Sequence, residues 1–117
     1  MLPLGHKQSD VYRLAVLLAK EIYRVTEGFP DGERAVLVYT LRRLTVLLCQ
    51  NIALADAKKG KKQKRLFEAC LEHCVAIDAQ LEVAIAVMLL PEETATEATR
   101  LLHTIYKSLL QSIQSAG

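Results

Sequence analysis

Residues Leu37 to Phe67 read LVYTLRRLTVLLCQNIALADAKKGKKQKRLF, and this stretch decides the fold. Leu37, Leu41, Leu44, Leu48, Ile52 and Ala55 recur every three or four positions, the spacing that lines one face of an α-helix. Gly60 interrupts that pattern, and a second helical pattern resumes almost at once with Phe67, Cys70 and Leu71. A break of so few residues leaves the chain no choice but to double back, so the two helices must lie antiparallel.

Working outward, the same logic extends in both directions. Ser9 is placed to cap an earlier helix that ends near Glu27, with Gly28 as its left-handed stop and Pro30 just beyond. On the other side, Pro91 suits the first turn of a last helix, and Glu92 and Glu93 sit against its positive end. The predicted helices span about 10–27, 32–59, 61–90 and 91–115. Their stripes are Val11, Leu14, Leu18, Ile22 and Val25 in the first, and Phe67, Cys70, Leu71, Cys74, Leu81, Ile85 and Met88 in the third. Ala98, Leu102, Ile105, Leu109 and Ile113 form the stripe of the fourth. Each large side chain adds about 1.5–3 kcal/mol on burial. The expected fold is all-α: one domain over 1–117, an antiparallel up-and-down four-helix bundle assembling as a homo-oligomer.

Composition agrees. Of 117 residues, 51% are hydrophobic, with only 5 Gly and 3 Pro, which argues against disorder and against a many-stranded β fold. The longest unbroken apolar run, Val83 to Leu90, is far short of the roughly 18 residues that would suggest a membrane span. No secretory pattern opens the chain, so the expected address is the cytoplasm with no membrane partner. Cys49, Cys70 and Cys74 are an odd set inside helices and read as reduced thiols.

The apolar content exceeds what one bundle core needs. Opposite its stripe, the first helix carries Tyr12, Val16, Ala19 and Tyr23; the second carries Val36, Tyr39, Val46, Leu47 and Leu54. The third repeats Ala69, Ala76, Val83 and Leu90 at heptad spacing, with Val87 beside them. The fourth instead turns Glu97, Arg100, Thr104, Lys107 and Gln111 outward. Large contiguous apolar surface is rare on monomers, so self-association through the first three helices is expected. Scattered surface hydrophobes on a monomer are the plainer alternative.

Charge is concentrated at one place. Lys58, Lys59, Lys61, Lys62, Lys64 and Arg65 surround the turn between the second and third helices. Cations at the start of a helix oppose its dipole, so their presence there suggests an anion-binding role. With no aromatic interleaved, such a corner would hold RNA or DNA by its backbone rather than its bases. Arg42 and Arg43 are further candidates on the second helix; the competing explanation for the lysines is a solubilising turn.

Catalytic chemistry is poorly represented. Cys70, His73 and Cys74 lack a second ligand cluster, so no metal or cofactor is expected. Asp78 falls on the core stripe of the third helix with Glu82 one turn on, where it would need a partner such as Tyr106. With no phosphate loop or nucleophile motif, an enzyme is the least favoured class.

Ile22-Tyr23, Thr26, Phe29-Pro30 and Glu33, then Leu41-Arg42-Arg43 with Asn51-Ile52-Ala53, then Ala79-Gln80-Leu81, form an ordered set. It resembles the bacterial four-helix-bundle proteins also called 23S ribosomal-RNA intervening-sequence proteins. The chain departs from that pattern at Leu54-Ala55, Cys49 and Ala76, where the family has Glu-Gly, a proline and a glutamate. The resemblance implies a homopentameric barrel. Through related accessory variability proteins of diversity-generating retroelements, it also implies a role beside a reverse transcriptase. A protein-protein adaptor with no nucleic-acid role is the alternative reading.

Overall fold

The structure, a computed structural model, describes residues 1–116. Four α-helices dominate: α1 (Asp10–Thr26), α2 (Tyr39–Asp56), α3 (Gly60–Ala86) and α4 (Thr96–Ala116). No strand occurs among the described residues. Each helix packs against its neighbours in sequence and α1 closes on α4, which makes the square of an up-and-down bundle. The molecule measures 42 × 29 × 21 Å.

The buried positions explain the packing. They are Ala15, Leu18, Ile22 and Val25 on α1, with Thr26 beside them, and Leu41, Thr45, Leu48, Ile52 and Ala55 on α2. On α3 they are Phe67, Cys70, Cys74, Ile77, Leu81 and Ala84, and on α4 Ala98, Leu102, Ile105 and Leu109, with Leu101 beside them. All four series alternate steps of three and four, the seam of knobs-into-holes packing at shallow crossing angles.

That strict seam corrects several sequence expectations. Ile77 takes the core position on α3, while Asp78 is exposed. Leu90, expected on the outer face, turns into the core, and Met88, expected in the core, is 90% exposed. The cause is the end of α3 at Ala86. The amides of Leu89 and Leu90 both bond back to Ala84 O, at 2.9 and 3.3 Å. Met88 supplies the left-handed link at φ 66°, a place normally given to glycine. The helix therefore stops before its stripe reaches Met88.

The other boundaries also differ in detail. Ser9 caps α1 as expected, its Oγ accepting from Tyr12 N at 3.3 Å. Gly28 is not left-handed; among the described residues positive φ occurs at Gly60 and Met88. The chain leaves α1 by a tight turn, Phe29 N to Thr26 O at 3.1 Å, that drops Phe29 into the core. A π-helical turn at Arg34–Val38 leads into α2, and its wider loop lets the adjacent Leu37 and Val38 both point inward. α2 ends at Asp56, short of Lys59, and Gly60 opens α3 instead of closing α2.

Much apolar surface stays uncovered. The most apolar 18-residue window of Asp31–Asp56 reaches a mean hydropathy of 1.2, yet only 33% of it is buried. Val16, Tyr23, Val36, Tyr39, Val46, Leu54, Val83 and Val87 are exposed. Ala19, Leu47, Ala69 and Ala76 are half-buried. Tyr12 is occupied within the protomer, packing on the core and edge-on to His6 at 4.6 Å.

Candidate nucleic-acid interface

The turn between α2 and α3 is pinned from inside. The amides of Ala57 and Lys58 bond to Leu54 O and Ala55 O at 3.1 and 3.0 Å, closing α2. Gln63 then reaches back from the first turn of α3, donating from Nε2 to Ala55 O at 3.1 Å. These contacts satisfy Leu54 O and Ala55 O without any lysine side chain, which leaves the ammonium groups outside. Lys58, Lys59, Lys61, Lys62, Lys64 and Arg65 are all exposed. None of them forms an ion pair with a described residue, whereas Arg24, Arg34, Arg42 and Arg100 do. Lys58, Lys62 and Arg65 share a shallow hollow of about 350 Å³ with Leu66.

The start of α3 is electrostatically unlike the others. α1 has Ser9 as cap and Asp10 in its first turn; the short turns before α2 and α4 carry Asp31 and Glu33, and Glu92 and Glu93. α3 has an extended Lys59 at its cap, no side-chain cap bond and no acid in its first turn. Its first free N–H groups and its cations therefore act in the same direction, toward an anion.

Arg42 and Arg43 do not join this corner within one protomer. They lie fifteen or sixteen positions before Lys58, about 23 Å along the axis at about 1.5 Å per residue. Arg42 is also committed elsewhere. Its Nε donates to Thr26 Oγ1 at 3.0 Å, and its Nη2 donates to Tyr23 O and Glu27 Oε2, both at 3.3 Å. The guanidinium rests 4.5 Å from the centre of the Tyr23 ring. Arg42 thus ties α1 to α2, while Arg43 stays exposed in a hollow with Tyr39 and Val46. Sequence reading did not find this tie, although Thr26 and Arg42 both belong to the set that carries the family resemblance.

The residues that resembled chemistry sit apart. Burial pushes the Cys70 and Cys74 thiols up to about 12 and Cys49 up to about 11, so they stay protonated at neutral pH. His73 faces α2, where Asn51 Nδ2 lies 3.0 Å from its Nε2. Among the described residues no three His, Cys, Asp or Glu side chains come together as a metal site.

The model of the 23S rRNA-intervening sequence protein family matches residues 7–111. The chain belongs to that family. No curated protein matches it. The matched span takes in all of α1 to α3, the lysine-rich turn and most of α4. In this chain, Ile22, Phe29 and Ile52 of the set that carries the resemblance are core residues, Thr26 and Arg42 bind each other, and Asn51 meets His73.

Proposed function

We propose that this family member is a non-enzymatic, homo-oligomeric accessory protein that holds nucleic-acid backbone with the lysine-rich corner. One observation carries the reading: the start of α3 lacks a cap and an acid and presents Lys61, Lys62, Lys64 and Arg65 unpaired. Each lysine there works against the helix dipole by a few tenths of a kcal/mol, a cost with no structural return. A phosphate chain supplies the missing negative charge. The family's description, which names 23S rRNA, is in keeping with a nucleic-acid setting. Likeness to accessory variability proteins adds a pentameric ring and a reverse transcriptase as partner. A five-fold ring would repeat the cluster around its axis and strengthen its field.

The test is a salt titration of binding to mixed RNA and DNA. Replacing Lys61, Lys62, Lys64 and Arg65 together by Ala removes four cations. The slope of log K against log salt should then flatten by about 3, at about 0.7–0.9 per phosphate contact. The same variant should be as stable as the parent or slightly more so, because the dipole conflict is gone. Binding and slope that do not change would refute the proposal.

The exposed Val16, Tyr23, Tyr39, Val46, Val83 and Val87 favour a second reading, a protein-protein adaptor. It predicts salt-insensitive capture of a different polypeptide and no affinity for nucleic acid.

A further inference from the structure

A cleft of about 330 Å³ opens between α3 and α4, away from the basic corner. Its floor is Cys74 and Leu102, both buried, and the exposed Val75 with Asp78, Thr99, His103 and Tyr106 completes its lining. Thr99, Leu102, His103 and Tyr106 follow one another at helical spacing, so a single face of α4 supplies one wall. Asp78 and Cys74, one turn apart on α3, supply the other. None of the four polar side chains has a hydrogen-bond or ion-pair partner among the described residues. The nearby Arg100, which is not part of the lining, is held by Glu97. A carboxylate, a hydroxyl, an imidazole and a phenol therefore line one cleft over an apolar floor, held by no other side chain and open to an incoming ligand. That is the usual composition of a small-molecule site, at the lower end of its size range.

We infer that this cleft binds a small organic amine with a compact apolar body. Asp78 supplies the negative charge that selects an ammonium group. The Tyr106 ring adds an electron-rich face for the same cation, and Leu102 with Cys74 takes the apolar body. Thr99 and His103 offer the remaining hydrogen bonds. The site stands apart from the nucleic-acid reading, because Asp78 lies 13 positions beyond Arg65 on α3, roughly 20 Å along the helix.

The experiment is a two-dimensional NMR titration of the full chain with 2-phenylethylamine, matched against 2-phenylethanol and 3-phenylpropionate. A probe of this size should bind with a Kd of about 1 mM and saturably shift Asp78, Thr99, His103 and Tyr106. The acid should bind least. D78N should weaken the amine by about tenfold and leave the alcohol unchanged. Asp78 is exposed, so this variant keeps the fold. Absence of saturable shifts, equal binding of amine and acid, or an amine affinity unmoved in D78N would overturn the inference.

Discussion

Replacing Arg42 by Ala should destabilise the bundle by about 2–2.5 kcal/mol without altering its affinity for nucleic acid. The magnitude follows from what the side chain touches. Its bond to the buried Thr26 hydroxyl, at 3.0 Å, is charge-assisted and sheltered, and is worth about 1.5 kcal/mol. The stack on Tyr23, 4.5 Å from the ring centre, is partly exposed and adds about 0.5–1 kcal/mol. Glu27 contributes little, because its side chain is 78% exposed and water screens the pair. Urea unfolding measures the sum, and a thermal scan should show a loss of about 10 °C for a chain of this length. Thr26→Val removes only the first contact from the Arg42 side, so a double-mutant cycle should return a coupling of about 1 kcal/mol. A cost below about 0.5 kcal/mol, or strict additivity with Thr26→Val, would refute this account. So would a salt slope that flattens by about 0.7–0.9 in the Arg42→Ala variant, since that would make Arg42 a phosphate contact.

Met88→Gly should raise stability by about 0.5–1 kcal/mol in urea unfolding, since glycine accepts the left-handed conformation that Met88 holds at φ 66°. His73 should make the fold acid-sensitive. Burial lowers its pKa below 6.5, so the unfolded chain takes up the proton first. Its stabilising contribution is complete above pH 6.5 and is lost as pH falls through the folded value; His73→Gln should remove that part of the stability-pH curve. Tyr39→Glu with Val46→Glu places charge on the uncovered face of α2. Sedimentation should then show a 13.0 kDa species in place of an assembly. An unmodified chain that already sediments as a monomer would exclude the oligomer.

How far the sequence was legible depended on the kind of signal. The breakers at Gly28-Phe29-Pro30, Gly60 and Pro91 separate the helices, and Ser9 caps α1 as its residue type suggests. The phase of the long helix was harder to read. A straight helix drifts about 20° per heptad from a strict seven-residue seam. Over the 27 residues of α3 that drift is enough to exchange neighbouring positions. Ile77 and Asp78 changed places for this reason. Thr45 was passed over as a core residue because it is polar, although its hydroxyl is satisfied by donating to Arg42 O at 2.9 Å. The uncovered apolar face and the lysine-rich corner were both visible as residues. Their outward placement followed from helical spacing; that Ala19, Leu47, Ala69 and Ala76 are half-covered by their own bundle did not.

The amino-acid order alone determined four helices, their antiparallel path and the concentration of positive charge at one turn, because each of these depends on neighbours within a few positions. Only the packed bundle decided that Ile77 and not Asp78 takes the core position on α3, that Arg42 is held by α1, and that Asp78 lines one cleft with His103 and Tyr106. The last two outcomes join residues sixteen to twenty-eight positions apart. Side chains so distant in the chain acquire a common environment only when the helices that carry them pack, and local periodicity carries no information about that register.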